Sequence, residues 1–425
     1  MHHVRETTAR ISCLNDVPPF TQAAALPQLC SQLRLARGLR QLVLDLSGRA
    51  ARAVPAKLAR LGRLTQLDSL QLDGIGHRAK GEYLSAALRP LTGLTRLSLR
   101  FVLDDPFGDA DWTNEDSRSI IPWAAAVCRL TNLQHLRITA DFDQDLNCGG
   151  IFRGALPAAL SRLTALRDWT VLGMDTRLLH NDTDQPLLPA LPALERAALQ
   201  LHTRSDVYPG LGHQLQQVVL SRVVSLSLAL RHNAESCGLY DSTQLPAIVA
   251  PALTELTLAD MWLHESRELS WLPGLPNLQR LVLKGLVIDL KELPQGVSAC
   301  SGLTELVLEG IQVSPSDNGE WDYPCLLWKL PAVGPYLSRL VRLSLRQNAF
   351  SAVPPCLTAA TALEVLDLGK QKLIGYNEDH GESVQGLHVL DALTRLRCVN
   401  LEGFDDKVLD LRRFRMAHPS VSVIL

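Results

Sequence analysis

The 425-residue sequence has little of what marks a membrane-spanning or nucleic-acid-binding protein. No apolar run approaches the ~18 residues that a spanning helix needs, so no membrane span is expected. The first residues, MHHVRETTARISC, contain no apolar signal core, so we do not expect secretion. The formal net charge is −2 and the pI is near 6.6, which disfavours nucleic acid or an anionic membrane as the main partner.

Catalytic and metal-binding motifs are also missing. The nine cysteines are scattered, with no pair at zinc-knuckle or redox spacing, which favours free thiols in a reducing compartment. There is no glycine-rich phosphate loop, no G-x-S-x-G elbow and no kinase motif. Asp141, Asp143 and Asp145 have calcium-loop spacing, but Leu146 and Phe152 stand where glycine and glutamate are required. We therefore expect no catalysis, no metal and no cofactor.

What the sequence has in abundance is leucine at regular spacing, in the pattern L-x-x-L-x-L. The first positions of its thirteen copies are Leu39, Leu67, Leu94, Leu133, Leu166, Leu194, Val223, Leu253, Leu278, Leu303, Leu340, Leu363 and Leu396. Successive copies begin 23 to 39 residues apart. The last two apolar positions of a copy are two residues apart, so both face one side of a short strand. One strand cannot bury its leucines alone, so the copies are expected to stack as a parallel sheet.

The segments between the strands must cover the apolar side of that sheet. In GEYLSAALRPLTGL before Leu94, and in GALPAALSRLTAL before Leu166, apolar residues recur at helical spacing. A similar segment, TQAAALPQLCSQLRLARGL, ends at Leu39. These patterns predict short helices behind the strands. Because helices are wider than strands, we expect an arc with the strands on the inside.

One copy, LVRLSLRQNAFSAVPPCL, resembles the short repeat of the leucine-rich-repeat family. Its matching positions are Leu340, Leu343, Leu345, Asn348, Phe350, Val353, Pro354 and Leu357. The resemblance covers nearly the whole chain and implies an α/β leucine-rich-repeat solenoid, a curved horseshoe with a parallel concave sheet and with short helices and loops on the convex side. In the family, the asparagine binds the backbone of neighbouring repeats. Here Asn348 alone occupies that slot, and residues such as Gln371, Ile311 and Leu286 replace it elsewhere.

The irregular repeats resemble those of plant and green-algal proteins. The composition, with 34 arginines against eight lysines, is also similar to that of green-algal proteins. We expect residues 1–38 to form a degenerate N-terminal repeat or cap, with a first strand near Ile11 and Leu14. Residues 39–425 are expected to form one elongated domain, with a terminal strand in HPSVSVIL. This gives about fifteen repeats in all. The predicted terminal strand has no polar capping element. We therefore expect that the chain is a piece of a longer protein or that a partner covers this end; the alternative is a short frayed strand without consequence for solubility.

Charges alternate along two columns of the predicted concave face. One column contains Glu255, Arg280, Glu305 and Arg342, and the other contains Lys284, Glu309 and Arg346. Opposite charges on neighbouring strands attract one another, so these residues are expected to hold neighbouring repeats in register. The alternative is a charged surface that selects a partner by complementarity.

A basic group is predicted on neighbouring strands nearer the N-terminus. It contains Arg96, Arg100, His135, Arg137 and Arg167, opposed mainly by Asp168. An acidic insertion follows within residues 101–122, with its carboxylates at Asp104, Asp105, Asp109, Asp111, Glu115 and Asp116. The basic group is therefore a candidate site for an acidic partner. Covering by the insertion itself is the alternative of equal weight.

Long insertions follow several strands and are expected to share one edge of the arc. They occupy 101–122, 173–189, 202–215, 231–246, 312–335 and 370–389. Tryptophan is frequent at binding hot spots, but it also packs long loops onto a scaffold. Among these loops, SPSDNGEWDYPCLLWKL, with Trp321 and Tyr323, is the best candidate for an exposed contact.

These features favour a non-catalytic, cytoplasmic scaffold that binds a protein through its concave face and edge loops. The resemblance also leaves open a substrate receptor of a ubiquitin ligase, the sensor fragment of an immune receptor, and a GTPase-activating protein of the Ran type. Cytoskeletal or axonemal association fits the resemblance equally well. No motif in the sequence identifies the partner.

Overall fold

The structure is a computed structural model, and the chain divides into two compact units. It describes residues 7–11, 38–46, 58–76, 81–102, 126–141, 160, 162–175, 191–203, 220–232, 248–263, 269–288, 293, 295–313, 329–331, 334–348, 350, 352–371, 386–404 and 409–425. The first unit comprises residues 1–207 and 231–238, and the second comprises 208–230 and 239–425. The proposed division at residue 38 stays a prediction.

In the first unit, the strands pair in parallel and in chain order. They are β1 (Thr7–Ile11), β2 (Leu39–Asp45), β3 (Ser69–Gly76), β4 (Arg96–Val102), β5 (His135–Asp141), β6 (Asp168–Asp175) and β7 (Arg196–Thr203). Equivalent motif leucines are direct strand partners: Leu42 pairs with Leu70, and Leu97 pairs with Leu136. The expected stacking of one strand per repeat is therefore confirmed.

The second unit continues the same plan with shorter strands. Its strands are β8 (Ser225–His232), β9 (Glu255–Ala259), β10 (Trp262–Leu263), β11 (Arg280–Lys284), β12 (Val287–Ile288), β13 (Glu305–Glu309), β14 (Gln312–Val313), β15 (Arg342–Ser344), β16 (Val365–Asp367), β17 (Cys398–Asn400) and β18 (Ser422–Ile424). Strands β10, β12 and β14 form a small parallel sheet of their own. The other strands pair in parallel in chain order, and β18 lies in the predicted terminal segment.

The leucines of each motif form the core because the strand alternates its faces. In β9 the side chains of Leu256 and Leu258 are fully buried, while Glu255, Thr257 and Ala259 between them are half-buried or exposed. The same alternation recurs in β13. We call the side of each sheet that carries the alternate residues its open face. The leucine-rich-repeat fold expected from the sequence is confirmed by this ladder.

The return segments are mainly 3₁₀ turns with a leucine at every third position. Leu64 N–H donates to Leu61 O, and Leu67 N–H donates to Leu64 O, at 2.9 and 3.1 Å. A 3₁₀ helix has three residues per turn, so such leucines align on one side and face the sheet. The 3₁₀ helices are Ala59–Arg63, Leu272–Gly274, Pro335–Leu337, Pro355–Ala359 and Leu387–Ala392.

Three α-helices are present in the described part of the chain. They are α1 (Gly81–Leu88), α2 (Gln295–Ser298) and α3 (Leu409–Ala417). The helix predicted before Leu94 is confirmed as α1. Most of the segments predicted as helices before Leu39 and Leu166 lie outside the described residues. No helix among those described is long and apolar enough to cross a membrane.

A left-handed residue follows several of the motifs, two positions after the last motif leucine. These residues, with φ between +54° and +93°, are Gly74, Asp260, Gly285, Gly310, Gln347, Lys370 and Gly403. Glycine adopts this conformation freely, and other residues adopt it at a cost. At Asp260, Gly285 and Gly310, the backbone N–H donates to a carbonyl of the next repeat, at 2.8 to 3.2 Å. The turn therefore helps to join neighbouring repeats.

The expected role of Asn348 is confirmed. Its side chain is buried, accepts a bond from Ile311 N–H at 2.9 Å and donates to Leu308 O at 2.7 Å. Gln371 has a similar role one repeat later, because its amide donates to Leu368 O and accepts from Phe350 N–H. In repeats with an apolar residue in this slot, Met261, Leu286 and Ile311 are buried instead.

Candidate protein-binding surface

Strands β4 and β5 bring together four of the residues that the sequence analysis selected. Arg96 is the direct partner of His135, and Arg100 is the partner of Thr139. Arg137 lies two residues beyond His135 on β5. All four basic residues alternate with buried motif leucines, so they belong to the open face of the first unit. We call Arg96, Arg100, His135 and Arg137 the basic patch.

Asp168 lies beside this patch on β6 and is held from both sides. Its carboxylate contacts the Nδ1 atom of His135 on β5, which is its direct strand partner. It also makes a two-pronged ion pair with Arg196 on β7, through the arginine Nε and through Nη2 at 2.8 Å. Such a bidentate pair is strong and geometrically specific. Asp168 therefore lies between two cationic or donor groups on neighbouring strands.

This arrangement changes the acidity of both partners. Burial of the carboxylate acts to raise the pKa of Asp168, but the hydrogen bonds and charges of Arg196 and His135 outweigh burial and hold that pKa below its ordinary value. The same pairing raises the pKa of Arg196 above its ordinary value. Asp168 is consequently ionised at neutral pH, and its charge is largely balanced by Arg196.

Arg167 does not join the basic patch through Asp168. Its Nη1 atom lies 3.4 Å from Oε1 of Glu195, and its side chain is more than half exposed, at 56%. Arg40 pairs in the same way with Asp68, at 3.7 Å. Arg167 thus belongs to a separate row of charges, one residue before the open-face column.

Among the described residues, no carboxylate pairs with Arg96 or Arg137. Both side chains are exposed. Across the described residues, neither makes an ion pair or a side-chain hydrogen bond. Arg100 is also exposed, and it does have an interaction partner. The basic patch therefore presents at least two guanidinium groups to solvent.

The predicted charge alternation in the second unit forms real ion pairs. Arg280 Nε lies 3.0 Å from Glu305 Oε1, and Lys284 Nζ lies 3.3 Å from Glu309 Oε2. Both pairs join β11 to β13 at directly opposed positions. Glu255 accepts a hydrogen bond from the Ser225 hydroxyl at 3.2 Å. These charges are partly neutralised, as the register-holding interpretation predicts.

Arg346 and Arg342 lie four residues apart in the second unit and have different environments. Arg346 Nη2 lies 2.6 Å from Glu402 Oε2, and its Nη1 lies 3.8 Å from Asp367 Oδ2. Lys370 Nζ also reaches Glu402, at 3.2 Å, and these partners lower the pKa of Glu402, with Lys370 the strongest influence. Arg342 is exposed, and no carboxylate of the described residues pairs with it.

Trp321 and Tyr323 lie outside the described residues, and so do most of the long insertions. The acidic carboxylates from Asp104 to Asp116 lie there as well. Their proposed roles stay predictions.

Sequence reasoning missed Arg196, Lys370 and Glu402 as members of these charge clusters. Arg196 follows Asp168 directly in one column, and Glu402 lies in the other column two repeats after Arg346, with Gly369 between them. Reading both columns to their ends identifies Arg196 and Glu402 but not Lys370, which lies one residue beyond its column. The residue type gave no indication of the left-handed turn at Lys370.

The described residues contain no group of three potential metal ligands. The described cysteines, Cys128, Cys300, Cys356 and Cys398, are free thiols. Burial raises the pKa of Cys300 to about 11, so its thiolate is scarce at neutral pH. Burial also raises the pKa values of Cys128 and Cys356. Cys128, Cys300 and Cys356 therefore lack the environment of a reactive cysteine.

The sequence matches no protein-family model and no curated protein. Among solved structures, it is similar to a leucine-rich-repeat protein of Leptospira interrogans, with 17% identity, a TM-score of 0.35, and coverage of 99% of this chain and 100% of that one. A leucine-rich-repeat protein of Bacteroides thetaiotaomicron is 9% identical, with a TM-score of 0.37 and coverage of 91% and 51%.

A third similar structure is the Arabidopsis receptor kinase HAESA, in complex with a peptide hormone and a co-receptor. It is 14% identical, with a TM-score of 0.31 and coverage of 86% of this chain and 53% of that one. The chain thus spans all of the Leptospira protein and about half of the other two.

Proposed function

We propose that this protein is a non-catalytic scaffold that binds an acidic segment of a protein partner through the basic patch. The observation that carries this proposal is the contrast between two sets of open-face cations. Arg280 and Lys284 have carboxylate partners on the neighbouring strand, and Arg346 pairs with Asp367 and Glu402 of the next two repeats. Arg96 and Arg137 have none among the described residues.

Two physical arguments support a partner of opposite charge. The open-face positions of β4 from Arg96 to Arg100 and of β5 from His135 to Thr139 carry no carboxylate; the one acidic residue of the two strands is Asp141, at the end of β5. Neighbouring like charges repel, so a sheet that places arginines together without counter-charges loses stability unless a ligand supplies them. Because the strands hold both arginines on a regular sheet, a partner also meets a largely preformed surface.

The compartment and origin are further parts of this proposal. Free, buried thiols at Cys128 and Cys300 fit a reducing compartment, so we propose a cytoplasmic location. The irregular repeat slots and the arginine excess fit a plant or green-algal type of leucine-rich-repeat protein.

The test is affinity capture with charge-reversed variants. The immobilised full chain captures proteins from a lysate of the source organism, which are identified by mass spectrometry. The test variant carries Arg96→Glu, Arg100→Glu and Arg137→Glu. The control carries Arg89→Glu and Arg129→Glu, which change exposed arginines in the return segments of the same repeats. We expect a partner that is lost with the test variant and retained with the control; equal capture by both variants contradicts the proposal.

A second variant addresses the acidic insertion. Neutralising Asp104, Asp105, Asp109, Asp111, Glu115 and Asp116 removes carboxylates that follow β4 directly in the chain. A tethered competitor acts at high effective concentration, so we expect several-fold stronger capture by this variant. Unchanged capture would mean that the insertion does not compete for the patch.

A further inference from the structure

We infer that the basic patch binds a phosphomonoester group carried by the partner, held between Arg96, His135 and Arg137. This inference rests on the proposed function and specifies the chemistry of its ligand. It follows from the geometry of three donors, from the position of Asp168 and from the balance of charge.

The three donors lie around one point of the sheet. Arg96 and His135 are direct partners on β4 and β5, and Arg137 follows on the same face as His135. Diagonal neighbours of this kind are about 7–8 Å apart along the backbone. Two extended arginine side chains span that distance easily. Each guanidinium presents paired N–H groups that match two oxygens of a phosphate.

The ring of His135 is oriented by Asp168. The carboxylate of Asp168 occupies Nδ1, on the β6 side of the ring. The Nε2 atom faces away from Nδ1, and no described residue occupies it. A histidine held through one nitrogen presents the other in a defined direction. His135 is therefore ready to contact a ligand that lies between the two arginines.

The charge of Asp168 does not exclude an anion from this place. Arg196 binds both oxygens of its carboxylate from the side away from the patch. Arg196 on β7 thus neutralises the carboxylate that contacts His135. Without Arg196, an ionised carboxylate would stand beside the ligand and repel it.

Charge counting favours a phosphomonoester over a single carboxylate. A phosphorylated side chain carries about −1.5 to −2 charges at pH 7 and three acceptor oxygens. A carboxylate carries one charge and two oxygens, too few for two guanidinium forks and an imidazole. A nucleic acid offers one charge per phosphate in a long row, whereas the patch is confined to two strands in a chain of net charge −2.

The experiment uses beads that carry a degenerate peptide library with a central phosphoserine. Matched beads carry aspartate or serine in its place, and a fourth set carries a single-stranded oligonucleotide. We expect the full chain to bind phosphoserine beads at least about tenfold more than aspartate beads, with elution by phenyl phosphate. Equal binding to phosphoserine and aspartate beads, or preferential binding to the oligonucleotide, overturns the inference.

Matched variants identify the site. Binding should fall about tenfold or more in Arg96→Gln/Arg137→Gln and stay unchanged in Arg89→Gln/Arg129→Gln, with circular dichroism verifying that both variants fold. Arg196→Gln should weaken binding several-fold, and adding Asp168→Asn should restore it, because the repelling charge is then removed. A non-specific basic surface would show no such restoration, so its absence contradicts the arrangement.

The two proposals fail in different ways. If the charge reversal abolishes partner capture but the beads show no preference for phosphoserine, the acidic-segment function stands and the phosphomonoester inference is wrong. If the reversal leaves capture unchanged, the function proposed for the patch is itself wrong, whatever the beads bind.

Discussion

The side-chain amides of Asn348 and Gln371 both donate hydrogen bonds to the carbonyl oxygen of Leu345, at 2.7 and 2.8 Å. Asn348 also donates to Leu308 O in the preceding repeat, and Gln371 donates to Leu368 O in the following one. Two different residue types thus connect three successive repeats through one shared acceptor. Glutamine performs the asparagine role because its amide donates and accepts in the same manner.

We expect Asn348→Ala to destabilise the protein more than Gln371→Ala. Asn348 is buried, so its removal leaves Ile311 N–H and Leu308 O without their partner, at a cost of about 3 kcal/mol. Gln371 is only partly buried, so water replaces part of its contribution and the cost is about 1 kcal/mol. Thermal and urea unfolding of the two variants measure both losses of stability. Equal losses would show that the two amides are equally accessible to water.

Gly285 and Gly310 offer a matched test of the left-handed turn. Both have positive φ, at +59° and +63°, so alanine at either position costs about 1 kcal/mol or more. At Gly285 a new Cβ would also lie 2.6 Å from Oδ1 of Asp260, whereas at Gly310 the nearest atom is 3.9 Å away.

We therefore expect Gly285→Ala to lower the melting temperature more than Gly310→Ala does. In the background Asp260→Ala the difference should shrink, because the clashing carboxylate is absent. A difference that persists in this background would exclude the clash as its cause.

The lowered pKa of Asp168 predicts a pH-dependent contribution to stability. A group whose folded-state pKa is depressed stabilises the protein above its unfolded pKa, which is about 3.9 for aspartate. That stability is lost as the pH falls through the lower, folded-state pKa. The melting-temperature difference between the wild type and Asp168→Asn should therefore shrink in the acid range below about pH 4. A difference that grows as the pH falls below about 4 would contradict the sign of the shift.

The ion pairs of the second unit are expected to contribute little individually. Arg280 is 43% exposed and Glu305 is 28% exposed, so solvent screens their 3.0 Å contact. A double-mutant cycle with Arg280→Ala and Glu305→Ala should give a coupling of about 0.2–1 kcal/mol that decreases in 1 M salt. The pair of Arg397 and Glu364, with a 77% exposed arginine at 3.6 Å, serves as the comparison and should couple less. A larger coupling free energy in the Arg397–Glu364 pair would contradict the expectation that solvent exposure weakens these ion pairs.

Much of the fold was accessible from the sequence, because apolar spacing is a local property. The two-residue spacing of pairs such as Leu256 and Leu258 predicted which face is buried, and the alignment of the motifs predicted the register. The helix α1 followed from the spacing in GEYLSAAL. The 3₁₀ turns were not predicted, since leucines three apart fit both a helix and a 3₁₀ turn.

The candidate site was accessible only in part. The sequence by itself determined which basic residues share the open face of β4 and β5, since alternation on a strand assigns each residue to a side. Only the tertiary structure decided that Asp168 binds Arg196 and His135, that Arg167 turns to Glu195, and that Arg96 and Arg137 have no carboxylate partner among the described residues. The physical reason is that a long charged side chain reaches several neighbours, and its choice depends on which strands stacking brings beside it.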